Sequence, residues 1–209
     1  MQRKKSPRLL YGLLALYAAL FVACFVGLGP QTLAWSLNRA LGLVAYLVLA
    51  LSVTFGALLG SRYATPWLNR ALQGGWHSLL SVSALGLGSL HGLLLTVDAQ
   101  YPQPLWALLV PGASGVLPFA VGLGTLGLYG LLLVWASTHW RKHLPAKLWK
   151  PLHLSAYPAF GLLTAHGILA GSDHLPWLYA AALGGVVYTF GLRFIEERQR
   201  FGAKQPVAS

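Results

Sequence analysis

Charge is what this chain has least of. Asp, Glu, Lys and Arg make up only 9% of its 209 residues, against about 25% in an ordinary soluble domain. So little charge cannot clothe a water-facing surface around a chain that is 56% apolar. Cysteine is nearly absent too: Cys24 stands alone, which excludes an intrachain disulfide and a thiolate-held cluster. Also missing are a G-x-G-x-x-G turn after a strand, a Walker loop and any internal repeat of about 20–50 residues. The longest polar connection, 98–114, is broken by Pro102, Pro104 and Pro111 and is too short for a second domain. Flavin, nicotinamide or molybdenum chemistry would therefore belong to another polypeptide.

What the chain does have is apolar sequence in long blocks. A membrane-crossing helix takes about 20 mostly apolar residues, and six segments qualify: 9–28, 40–60, 74–97, 115–137, 148–171 and 176–195. Their length and their Leu, Ala, Gly and Val content favour helices over barrel strands, which alternate polarity over about 10 residues. Arg3, Lys4 and Lys5 precede the first segment as they would in a signal peptide. Its apolar run exceeds the usual 7–15 or so residues of such a leader, and no A-x-A site follows. The sequence thus predicts a single all-α membrane domain over 1–209, a bundle of six transmembrane helices.

The basic residues set the orientation. Lys and Arg collect in short loops on the cytoplasmic side. Here they fall at the N-terminus (Arg3, Lys4, Lys5, Arg8), between the second and third segments (Arg62, Arg70), between the fourth and fifth (Arg141, Lys142, Lys147, Lys150) and in the tail (Arg193, Arg198, Arg200, Lys204). Only Arg39 is left for the other side, with Asp98 and Asp173. Both termini are then cytoplasmic. The net charge of +11 is a topology signal, one that also suits anionic lipid, and nucleic-acid binding is not needed to explain it.

Within this apolar chain four histidines stand out. His77 and His91 lie in the third segment, His153 and His166 in the fifth. An ionisable group in a membrane helix is read as functional by default, and neutral imidazole is the usual axial ligand of haem iron. The third and fifth helices run in the same direction, so His77 and His153 lie near the cytoplasmic surface while His91 and His166 lie toward the outer one. Spacings of 14 and 13 residues separate the members of each pair by roughly 20 Å along a helix. A bis-histidine haem could bridge the two helices at each level, two haems stacked across the bilayer. Angular phase agrees less well: 14 residues return to within roughly 40° of the starting face, whereas 13 land about 140° away. Pro158, between His153 and His166, is a candidate kink that restores the phase.

Other residues take a place around these four. Gly74, Gly75, Gly86, Gly88, Gly92, Gly161 and Gly167 would let a flat macrocycle approach the backbone, or serve ordinary small-residue helix packing. His139 and His143 have i, i+4 spacing but sit among Thr138, Trp140, Arg141 and Lys142, which favours a wet interfacial pair. His174 reads as solvated. Trp67, Trp76, Trp106, Trp149 and Trp177 suit interfacial anchors, and Trp76 could also line a haem face. Arg39 opens a helix, where the macrodipole favours anions. It calls for an anionic partner, either an outer haem propionate or lipid phosphate reached by snorkelling. With no C-x-x-C-H sequence, any haem would be noncovalent haem b.

These residues resemble the ferric reductase-like transmembrane domain family, which includes ferric reductases, NADPH oxidases and the haem-binding membrane subunit of the periplasmic methionine sulfoxide reductase. The resemblance spans nearly the whole chain. Besides the histidine spacing it rests on Trp149-Lys150-Pro151-Leu152-His153-Leu154-Ser155-Ala156-Tyr157 at the start of the fifth helix and Asn38-Arg39-Ala40-Leu41-Gly42-Leu43 at the start of the second. It implies that His77 pairs with His153 around an inner haem b and His91 with His166 around an outer one, and it places an arginine near the outer haem. Two departures narrow it. The sulfoxide reductase subunits tend to carry arginine where this chain has His77, and the oxidases carry a further histidine where it has Leu95.

The expected function is transfer of electrons across a bacterial-type plasma (inner) membrane. The donor would be a cytoplasmic-side flavoprotein reductase, bringing FMN or FAD, or a quinol. The acceptor would be an outer-side reductase subunit or a small species such as ferric chelate. Membership of a methionine sulfoxide repair system is the alternative within this class. A histidine-based proton or ion transporter without haem, or a non-catalytic membrane scaffold, is the alternative outside it.

Overall fold

The computed structural model describes residues 7–27 and 33–202; Arg3, Lys4, Lys5 and Lys204 lie outside them. Among the described residues every regular element is helical. In order these are α1 (Pro7–Gly27), α2 (Leu33–Leu58), α3 (Pro66–Ala71), a wide π turn (Leu72–Trp76), α4 (His77–Leu94), α5 (Leu105–Leu109), α6 (Pro118–His139), a 3-10 turn (Arg141–His143), α7 (Ala146–Leu154), α8 (Ala156–Ala170) and α9 (Pro176–Gly202).

Four helices are long and apolar enough to cross a membrane: Leu33–Leu58, His77–Leu94, Pro118–His139 and Pro176–Arg200. α1 contributes a shorter apolar stretch, Tyr11–Gly27. Large apolar side chains such as Phe119, Trp177 and Tyr188 are about 70% exposed. A surface of that kind belongs in lipid, because no polar shell separates it from the surroundings. The chain is thus an all-helical membrane protein.

The expected fifth span, 148–171, is two helices. α7 ends at Leu154 and α8 begins at Ala156, with Ser155 between them at φ −62°, ψ −8°. Pro158 itself falls in the first turn of α8, and the carbonyl its missing N–H leaves unbonded is that of Leu154, the last residue of α7. The proline inside a helix is Pro151, in α7.

The helices pack as two pairs. α4 lies along α2, and α8 along α6. α2 is the spine, with 56% of its most apolar stretch buried against 11% for α4. Val44, Val48, Leu80 and Phe160 fill the core. Tyr46 stacks on Phe160 with ring centres 5.6 Å apart, and its hydroxyl meets Thr164 Oγ1 at 3.1 Å. α4, with His77 and His91, has no extensive direct contact with α7, which carries His153, or with α8, which carries His166; what joins them is their side chains. The lead-in to α4 depends on Gly75, whose φ of 109° only glycine adopts readily. This turn makes His77 the first residue of α4.

Candidate metal centres

Each histidine is fixed by a helix of the flanking pair. His77 Nδ1 lies 3.0 Å from the Ser52 carbonyl, His91 Nδ1 2.9 Å from that of Asn38, and His166 Nδ1 2.8 Å from that of Ala120. A carbonyl only accepts, so Nδ1 carries the proton and Nε2 keeps a free lone pair. His153 reaches the same tautomer by another route. Its Nδ1 is 3.3 Å from Thr138 Oγ1, and that hydroxyl donates to the Val134 carbonyl at 2.8 Å. The hydroxyl proton is thereby committed, and Oγ1 is left to accept from Nδ1–H. Such outer hydrogen bonds orient metal-ligating imidazoles and raise their basicity.

The carbonyl is reached across a missing side chain. A Cβ added to Gly42 would stand 2.9 Å from His91 Nδ1, one on Gly56 2.8 Å from His77 Cε1, and one on Gly124 2.8 Å from His166 Nδ1. Each glycine lies four residues after the carbonyl that its histidine uses, beside it on the helix surface. The pattern is one device used repeatedly: Asn38 with Gly42, Ser52 with Gly56, Ala120 with Gly124, and Val134 with Thr138. Within each helix the two copies are 14 residues apart. In the last copy threonine replaces glycine and puts its hydroxyl between carbonyl and imidazole.

Held this way, the histidines meet in two couples. His77 and His153 have ring centres 6.1 Å apart with planes crossed at 78°, and His91 and His166 also stand 6.1 Å apart, crossed at 71°. A metal–imidazole bond of about 2 Å plus about 1 Å from nitrogen to ring centre, counted on both sides, comes to about 6 Å. Among the described residues no third His, Cys, Asp or Glu joins either couple. Two imidazoles with no third protein ligand suit a macrocycle that brings its own four donors, and do not suit a bare tetrahedral ion. The break at Ser155 is what frees His153 from the phase of His166. At the inner couple a cavity of about 310 Å³ opens between the helices, lined by Ser52, Ser81, Thr138, His139 and Tyr157 as well as by His77 and His153.

Other expected residues are placed as follows. A Cβ on Gly86, Gly88, Gly92 or Gly161 would meet nothing within 4 Å, and one on Gly167 would meet the Tyr179 ring at 2.7 Å; the glycines against the imidazoles are Gly42, Gly56 and Gly124. His139 closes α6 while His143 lies in the following 3-10 turn. They do not share a helix face. His174 is exposed, and Trp76 packs edge-on against Trp67.

Arg39 faces Asp173: Nε donates to Oδ2 at 3.0 Å, and Nη2 pairs with Oδ1. The two side chains are only 12% and 18% exposed. α2 begins at Leu33, so Arg39 lies inside the helix and does not open it; the fork ties α2 to the α8–α9 loop, one residue from the Asn38 carbonyl that holds His91. Removing one partner strands a charge in an apolar setting, so Arg39→Met should cost about 2–3 kcal/mol. The double variant Arg39→Met/Asp173→Leu should recover most of that loss. Thermal unfolding in detergent checks this, and independent, additive losses would mean that the pair is not coupled.

No protein-family model, curated protein or solved structure matches the chain, and the reading of the site rests on its own geometry.

Proposed function

We propose that the chain is a membrane cytochrome b resembling the ferric reductase-like proteins, carrying electrons from the cytoplasmic side of a bacterial-type plasma membrane to an acceptor on the outer face. The observation that supports this most is the two crossed imidazole couples, each 6.1 Å between ring centres and each with Nδ1 turned away onto a flanking helix. His77 and His153 would ligate an inner haem b, and His91 and His166 an outer one. When bound, haem supplies one-electron chemistry at its iron. The chain's residues do the holding. α2 and α6 offer carbonyls beside glycine notches, the histidines present Nε2 into the gap between α4 and α7–α8, and the apolar helices exclude water and ions from both levels.

In this reading the six spans are α1, α2, α4 with its lead-in, α6, α7 with α8, and α9, and both termini are cytoplasmic. Several contacts tie the basic loops to one end of the bundle. Ser61 Oγ donates to buried Glu196 on α9 at 2.7 Å, Lys150 pairs with Glu197, and Arg141 lies over Trp149 beside His153. The cations Arg62, Arg141, Arg193 and Arg200 thus gather where the inner couple lies, and Arg39 with Asp173 marks the opposite end. Electrons would arrive from a separate flavoprotein reductase or a quinol and leave to an outer protein partner or a ferric chelate.

The test is the colour of the purified protein. Reduction should give the sharp α-band of low-spin six-coordinate haem b, a pyridine assay should return two haems per chain, and acidified acetone should extract both. A colourless, correctly folded chain would overturn the proposal and leave a histidine proton relay as the better account.

A further inference from the structure

Beside the inner couple, the chain leaves a hydrogen-bond donor buried with nothing to donate to. Trp149 Nε1 is inaccessible and has no acceptor. Its ring stacks on His153, with centres 5.0 Å apart and planes 21° from parallel, and the Arg141 guanidinium sits 4.2 Å from the centre of the same ring. His139, stacked on Trp135, lines the cavity that His153 also lines. The unpaired N–H thus belongs to a ring that lies against a cation. The acidic side chains at this end are already engaged: Glu196 with Ser61 and Arg200, Glu197 with Arg193 and Lys150. A buried N–H is rarely left unpaired, and one next to a guanidinium asks for an anionic acceptor.

We infer that Trp149 Nε1–H and Arg141 form the carboxylate-binding site of the inner cofactor, the indole donating a hydrogen bond to a haem propionate and the guanidinium neutralising its charge. The inference rests on the two-haem reading above. It gives Trp149 two separable tasks: its ring fixes the plane of the His153 imidazole, and its N–H holds the carboxylate. Arg141, which lies over the same ring, supplies the positive charge.

The full-length chain, made in haem-deficient cells and purified in detergent, is reconstituted with haem b or with haem b dimethyl ester, whose propionates can accept a hydrogen bond but carry no charge. Uptake at the inner centre is followed as the spectral component missing from His77→Ala. The wild-type inner centre should hold the free acid roughly tenfold more tightly than the ester, the scale of a charge-assisted hydrogen bond. Trp149→Phe keeps a ring on His153 and loses the N–H, and Arg141→Gln loses the cation. In each, the preference should shrink severalfold, the midpoint potential of the inner haem should fall, and its six-coordinate spectrum should stay unchanged. The outer component in the same samples reports that the variants are folded. An equal wild-type affinity for acid and ester, or an undiminished preference in both variants, overturns the inference while the two-haem reading stands. Failure of the wild type to bind either compound overturns both.

Discussion

His91→Ala and His166→Ala should each take the haem content from two per chain to one, and both should erase the same spectral component. The couple they form is symmetrical in the way that matters: each ring is held at Nδ1 by a helix carbonyl, at 2.9 and 2.8 Å, and on the proposed reading each would supply one ligand nitrogen. Removing either would leave a site with no third His, Cys, Asp or Glu among the described residues to replace it. The double variant should be little worse than either single one, because ligands acting as a unit give strongly non-additive losses. His77→Ala and His153→Ala should erase the other component in the same way. His139→Ala, which removes an imidazole lining the inner cavity but in neither couple, should keep both haems. Loss of one and the same component in His77→Ala and His91→Ala would put the two α4 histidines at a single centre and contradict the pairing by depth.

The histidine register was readable from residue numbers because it depends only on helix rise. Spacings of 14 and 13 in two parallel helices put first beside first and second beside second, and the structure brings together those pairs. The need for an anion opposite Arg39 was readable from the scarcity of outer cations, whereas the macrodipole argument fails, because α2 begins at Leu33 and Arg39 lies beyond its first turn. The anion's identity was not readable, since Asp173 lies 134 residues away and only the folded loop brings it there. The phase mismatch in the fifth span was a true signal, and Pro158 between the two histidines was its visible cause. The break falls at Ser155, beside the Leu154 carbonyl that the proline cannot bond. The glycines divide differently. Gly86, Gly88, Gly92 and Gly161 border open space and Gly167 lies against Tyr179, whereas Gly42, Gly56 and Gly124, which seat the imidazoles, are recognised only by what lies across the interface. One trace of them was present all the same: Gly42 and Gly56 repeat the 14-residue interval of His91 and His77 on a helix of opposite direction, as a scaffold must if it is to serve both rings.

Gly124→Leu should abolish the outer haem while leaving the fold in place. The added Cβ would stand 2.8 Å from His166 Nδ1 and 3.0 Å from Cε1, inside van der Waals contact. In a packed core such overfilling typically costs about 1–3 kcal/mol. The atom that must give way here is the end of a side chain, and the imidazole can swing into the gap between α4 and α8. The helix bundle therefore absorbs the change, and the hydrogen bond to Ala120, the tautomer it fixes and the aim of Nε2 are what is lost. Circular dichroism should match the wild type, with haem content near one per chain and the outer component absent. Gly42→Leu should give the same phenotype from the other side of the outer couple, because its Cβ would press on His91 at 2.9 Å. Gly56→Leu should instead remove the inner component through His77. Gly86→Ala is the matched control: a Cβ there meets nothing within 4 Å, and alanine in a helix is worth up to about 1 kcal/mol over glycine, so both haems and full stability should be retained. A Gly124→Leu protein that kept both haems would show that the notch against Ala120 does not hold the ligand, and the geometric argument for the outer centre would fail with it.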